Sequence, residues 1–112
     1  MVENLGASVE RYMNLLSTRQ KLVAANIANA DTPGYQTKDI DFQAELENQI
    51  GSSNPNVMEV SGLKTKNDGN NVNVDREARL LAENALRFSV ASSMARAELS
   101  MVRSAIQEDK SA

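Results

Sequence analysis

NVDREARLLAENALRFSVASSMARAELSMVRSAIQ, residues 73–107, decides the fold. Taken from Val74 in alternating steps of four and three, it puts Val74, Ala78, Leu81, Ala85, Phe88, Ser92, Ala95, Leu99, Val102 and Ile106 on one line, and all but Ser92 are apolar. Such a seam, held for more than four heptads, belongs to a helix that supercoils against another helix. One helix cannot bury its own seam. A second helix of the chain must cover it, or another copy must. Asn73 is placed to cap the N-terminus, and Asp75 and Glu77 complement the helix dipole in the first turn. Arg79, Glu83 and Arg87 are spaced as an i,i+4 ladder on the exposed side.

The other end of the chain offers the partner. Residues 5–29 place Leu5, Val9, Tyr12, Leu16, Val23 and Ile27 on the same four-three spacing, with Arg19 interrupting the line. Leu15 and Leu22 widen the apolar face, and neither Gly nor Pro falls between Ala7 and Asp31. Twenty-five helical residues span about 37 Å and thirty-five about 52 Å. The first helix is therefore too short to cover the whole seam. Its uncovered end, near Leu99 to Ile106 or near Val74, is expected to take a neighbouring subunit. Arg19 is read as a side chain lying along the edge of the seam with its charge in water, or as a residue that pairs with another subunit.

Pro33 stops the first helix and pushes Thr32 to extended backbone. Pro33-Gly34 is a type II turn signal, with Gly supplying positive φ. Asn26 and Asn29 are three apart and share one helix face. Their amides either bond a turn that folds back, or reach a neighbouring subunit, or are simply tolerated near a helix C-terminus; spacing favours the last.

Residues 36–50 are acidic and mixed, with Asp41 as an N-cap and Phe42, Leu46 and Ile50 spaced for a short helix over 41–50. The carboxylates Asp39, Asp41, Glu45 and Glu47 invite a metal or acid–base reading. Capping and solvation explain them better, because no glycine-bearing calcium loop accompanies them. Residues 51–72 are rich in turn formers and read as a long, partly ordered loop. Within it Val57 to Val60 suits a brief strand, and Asp68-Gly69 a turn. The acidity of the chain is concentrated here: residues 1–30 carry +1, residues 31–72 carry −4 and residues 73–112 sum to zero. A solvated middle segment is the simpler account; a surface facing a basic partner is the other.

Composition excludes much of chemistry. The 112 residues contain no Cys and no His, so thiolate catalysis, disulfides and the commonest base and metal ligand are absent. A net charge of −3 does not suggest nucleic-acid binding. No window approaches the ~18 apolar residues of a membrane span, and MVENLGASVE lacks the apolar core of a cleavable signal. No catalytic residue, metal or cofactor is expected, and no insertion into a membrane. The fold class is all-α: long N- and C-terminal helices paired as an antiparallel coiled coil, in one domain over residues 1–112, with the C-terminal helix over 73–107.

The stretch Ala25-Asn26-Ile27-Ala28-Asn29-Ala30-Asp31-Thr32-Pro33-Gly34-Tyr35 resembles the A-N-N-I/L-A-N-x-x-T-P-G-Y signature of bacterial flagellar rod, hook and hook-associated proteins, with Ala25 in place of one paired Asn. Gly69-Asn70-Asn71-Val72-Asn73-Val74-Asp75-Arg76-Glu77 is similar to the segment leading into the C-terminal helix of proximal rod proteins, as are Asp39-Ile40-Asp41-Phe42, Ala82 to Phe88 and Arg103 to Ile106. The short length fits the rod members, since other relatives carry large inserted domains between the two helices. The resemblance implies a subunit that self-assembles into the periplasm-crossing drive shaft and transmits torque, exported by the flagellar type III system without a cleavable signal peptide. It implies as partners other copies of the chain, other rod proteins, a FliE-type adaptor at the membrane ring and the export apparatus. Asn26, Asn29, Thr32, Pro33, Gly34 and Tyr35 would shape the turn and pack subunits, and Leu81, Phe88, Leu99, Val102 and Ile106 would form the packing seam. The second type of proximal rod protein and a two-helix cytoplasmic export chaperone are the alternatives. Fully burying each of those five seam residues is worth roughly 1.5–3 kcal/mol, against about 1–2 kcal/mol per residue of backbone entropy. The isolated subunit is therefore expected to be marginal, with frayed termini and a mobile 51–72 loop.

Overall fold

The computed structural model describes residues 2–48 and 54–111. Ile50, expected in the short helix, lies outside the described residues, as do residues 51–53 and the side chain of Leu5. In chain order the elements are α1 (Val2–Ala28), β1 (Lys38–Ile40), α2 (Phe42–Glu47), β2 (Val57–Glu59) and α3 (Val74–Ser111). The molecule is a rod of 71 × 26 × 17 Å. Its length is set by α3, whose 38 residues span about 57 Å.

Helices α1 and α3 are antiparallel. Asn26 meets Glu77, Leu16 meets Asn84, and Gly6 faces Glu98. The chain is mostly helical, with one two-stranded antiparallel ribbon, β1–β2, that pairs Lys38 with Glu59 and Ile40 with Val57. Asn73 caps α3 as expected, its Oδ1 accepting from the Arg76 N–H at 3.1 Å. Asp41 caps α2 in the same way through the Ala44 N–H at 3.1 Å. Of the expected ladder on α3, Arg87 pairs with Glu83 at 2.7 Å, while Arg79 turns to the Asp75 carbonyl.

The predicted seam is not the surface that α3 gives to α1. Glu77, Asn84 and Ala91 are buried there in heptad spacing, about 60° around the helix from the predicted line. Leu81, Phe88, Leu99 and Ile106 stay 39–50% exposed, while Ser92, Ala95 and Val102 are half-buried. The reason is polar. Asn84 Nδ2 donates to the Leu16 carbonyl at 2.8 Å and to Gln20 at 3.2 Å, and Glu77 bonds Asn26. These groups must face α1 to be satisfied. Ala91 lets the helices approach closely, and the large seam side chains are turned onto the flank. There Leu81 and Phe88 line an open groove of about 550 Å³ with Leu16, Ser17 and Lys21.

On α1, Val9, Leu16 and Val23 are buried in heptad spacing. Leu15 joins Leu16, Ile40 and Phe42 in a compact core, with Tyr12, Leu22 and Leu46 against it. Tyr12 meets the Phe42 ring edge-on, at 5.6 Å and 83°. Arg19 and Arg87 place their guanidinium carbons 5.6 and 5.2 Å from the same ring. The ribbon and α2 thus rest on α1, and they bring Asp39 to the foot of α3.

Candidate functional site at the helix joint

The signature turn is built as its residues require. The Tyr35 N–H donates to the Thr32 carbonyl at 3.2 Å, and Gly34 has φ +76°. A Cβ at Gly34 would meet nothing within 4 Å, so backbone conformation alone demands glycine there. A second turn packs against it. Gly69, at φ +87°, donates to the Lys66 carbonyl at 2.9 Å, while the Lys66 N–H donates to the Asn70 carbonyl at 2.8 Å. The Gly34 N–H donates to the Asp68 carbonyl at 2.9 Å, and a Cβ on Gly69 would lie 3.3 Å from the Gly34 Cα. Gly34→Val is expected to lower the urea midpoint, because a branched residue at positive φ costs more than the ~1–2 kcal/mol of an ordinary one. Gly34→Ala should fall between the two; equal midpoints for all three chains would remove the conformational argument.

Three buried asparagines hold this double turn to the helices. Asn26 is fully buried. Its Nδ2 donates to the Lys38 carbonyl at 2.9 Å and to Glu77 Oε1, and its Oδ1 accepts from the Lys38 N–H and from the Tyr35 hydroxyl, each at 3.1 Å. That is the full bonding capacity of an amide. Asn70, also fully buried, donates to the Asn29 and Thr32 carbonyls at 2.8 Å each and accepts from the Val72 N–H. Together with Lys66, which reaches the Ala30 carbonyl at 3.0 Å, it secures the turn that follows α1. Asn71 accepts from both the N–H and the hydroxyl of Thr37, and donates to Gln36.

A chain of ion pairs runs from the asparagines to the core. Arg19 grips both oxygens of Asp39 at 3.2 and 3.0 Å. Arg76 bridges Asp39 at 2.8 Å and Glu77 at 2.7 Å. Two cations and two carboxylates make the cluster neutral. Arg19 does not keep its charge in water; its charge is taken up inside the chain, because β1 sets a buried carboxylate beside it. Asn26 is likewise not a tolerated bystander, since four groups depend on its amide. Asn29 is the plainer of the two. Its side chain bonds the Ala25 carbonyl and accepts from the Thr32 hydroxyl. Burial, and then the nearby Glu77 carboxylate, raise the pKa of the Tyr35 phenol above its ordinary 10.0. A raised folded-state pKa gives stability that is complete below the unfolded value and lost as pH rises through the folded one. Above pH ~10, the wild-type chain should lose stability more steeply than Tyr35→Phe, as read by urea midpoints at each pH; parallel slopes would count against it.

This joint spans the stretch that known proteins share. A family model described as flagella basal body rod protein matches residues 12–36. The chain is 34% identical to flagellar basal body rod protein FlgB of Escherichia coli (strain K12), over 80% of this chain and 86% of that protein. The chain belongs to the FlgB family of flagellar basal body rod proteins. FlgB of Salmonella typhimurium is 32% identical over the same shares. FlgB of Borrelia hermsii is 34% identical over 71% of this chain and 78% of its own.

In this FlgB-family chain the signature residues and the 69–77 segment meet in one place, from Gly34 beside Gly69 to Asn26 bonded to Glu77, 51 residues apart in sequence. Sequence reasoning missed Asp39, Asn70, Asn71, Arg76 and Glu77 as members of one network. A signal was present, since Gly69-Asn70-Asn71 belongs to the second segment of resemblance. The remaining carboxylates serve locally. Asp41 caps α2, Glu45 accepts from the Asn56 N–H, and Glu47 accepts from Gln43. Arg11 donates to the Glu45 carbonyl at 2.6 Å and ties α2 to α1. Phe88, Leu99 and Ile106 lie on the flank of α3 away from the joint, and Leu81 stands on the same flank one turn beyond Glu77. Among the described residues no helix is long and apolar enough to cross a membrane.

Proposed function

We propose that this chain is a structural subunit of the flagellar basal-body rod, and that its joint holds two helices at one fixed register so that copies stack into a shaft able to carry torque. One observation supports the assembly most directly: the heptad seam of α3 remains half-exposed after α1 has packed. Large apolar residues repeating along a helix flank mark a surface meant to be covered. The partners are other copies of the chain and other rod proteins, with a FliE-type adaptor at the base and the flagellar type III apparatus as the exporter. Asn26, Asn29, Thr32, Pro33, Gly34 and Tyr35 act by shaping the joint, and no catalysis is assigned.

Leu99→Glu tests the reading. Leu99 is 50% exposed, so its replacement should change the stability of the purified chain by no more than about 0.5 kcal/mol. The same variant should fail to appear in purified basal bodies and should not restore motility to cells lacking the native chain. Normal incorporation and swimming would overturn the seam as an assembly surface. Wild-type chain found only in the cytoplasm of flagellated cells would favour the export chaperone instead.

A further inference from the structure

Asp68-Gly69 is the one place in the chain where an acidic or amide side chain precedes a glycine. That pair has a chemistry of its own. The Gly69 nitrogen attacks Cγ of the protonated Asp68 carboxyl, an N–Cγ bond forms, and the hydroxyl leaves with the amide proton as water. The product is a five-membered succinimide. Water then opens the ring at either carbonyl. Opening at Cγ restores aspartate. Opening at the α-carbonyl gives isoaspartate, whose main chain runs through Cβ and Cγ and is longer by a methylene. Glycine favours ring closure because no side chain shields its nitrogen.

The folded joint ties down both reacting groups. Asp68 is exposed to water, yet its Oδ1 accepts from the Asn70 N–H at 3.0 Å. The Gly69 N–H donates to the Lys66 carbonyl at 2.9 Å. Ring closure needs both bonds released. Asn70 does not let go alone, because it is fully buried and its side chain holds the Asn29 and Thr32 carbonyls. We propose that Asp68-Gly69 is a backbone isomerisation site that the closed joint keeps inert, and that a chain converted there cannot close the joint again. The second half follows from the packing. The Asp68 carbonyl accepts from the Gly34 N–H at 2.9 Å, and in isoaspartate that carbonyl has become a free carboxylate. Gly69 lies so near Gly34 that an added Cβ would stand 3.3 Å from its Cα. A methylene inserted between the two residues either spoils this approach or pulls Asn70 away from Asn29 and Thr32.

The test uses the full-length chain at neutral pH, one portion in buffer and one in guanidinium chloride. Isoaspartate is read by methylation with an isoaspartyl methyltransferase, and by peptide mapping, where it elutes apart at unchanged mass. In denaturant the peptide carrying Asp68 should accumulate isoaspartate. In buffer it should do so at least about tenfold more slowly, because reaction waits on local opening of the joint. Asn26→Leu, which loosens the joint, should convert faster than wild type in buffer and at the same rate in denaturant. Gly69→Ala should slow conversion in denaturant. After refolding, the converted fraction should show a lower urea midpoint than unconverted chain treated alike. Equal rates in buffer and denaturant would overturn the shielding. A wild-type midpoint for the converted chain would overturn the loss of the joint. No isoaspartate at Asp68 in denaturant would remove the site altogether.

Discussion

Arg76→Met is expected to lower the unfolding free energy by about 3–5 kcal/mol, the range for breaking a buried ion pair by removing one partner. Arg76 touches Asp39 at 2.8 Å and Glu77 at 2.7 Å, and the Glu77 carboxylate is fully buried. Methionine keeps most of the volume and removes the charge. Asp39 retains Arg19, but Glu77 is left, among the described residues, with the uncharged Asn26 amide as its hydrogen-bond donor. The uncompensated charge causes the loss, so Arg76→Met/Glu77→Gln should recover a large part of it. Glutamine still accepts from Asn26 and carries no charge. Urea denaturation followed by far-ultraviolet circular dichroism reads both chains, and a double-mutant cycle gives the coupling. A coupling near zero would mean that Arg76 and Glu77 act separately, and the joint would not be one network.

Asn26→Leu should be comparably severe, costing about 3 kcal/mol or more. Leucine is close in size but leaves four groups without partners: the Lys38 N–H and carbonyl, the Tyr35 hydroxyl and Glu77 Oε1. Each buried group left unbonded costs about 1–3 kcal/mol, reduced where a group can turn to water. Lys38 sits on an exposed edge, and the Tyr35 hydroxyl can do so in part. Glu77 cannot. A variant with an unchanged midpoint would mean that α1 does not depend on Asn26 to hold the ribbon and α3. Asn29→Leu is the control. Its side chain bonds only the local turn, so its loss should be well under half as large.

Neither prediction was open to a reading of the heptads. Periodicity found both long helices because apolar residues recur every three and four positions over many turns, and that signal is local to each helix. Pro33-Gly34 marked the turn for an equally local reason, fixed φ followed by positive φ. The strand over Val57–Glu59 was legible as part of the short Val57 to Val60 segment between turn formers. Its partner over Lys38–Ile40 was hidden by Lys and Asp, which belong to a strand only because Asn26 and Arg19 receive them.

What the sequence by itself determined was the existence of two long amphipathic helices, the place where the chain turns back, and a motif specific enough to name a family. Only the tertiary structure decided which stripe of α3 meets α1. An apolar count favours Leu81, Phe88, Leu99 and Ile106. The folded chain instead buries Glu77 and Asn84, because a polar group taken from water needs a specific partner, and those partners stand on α1 and β1. Apolar contact is tolerant of rotation about the helix axis; a buried hydrogen bond is not. The polar contacts therefore set the rotation and register of the pair, and the strongest apolar seam was left on the flank, facing outward.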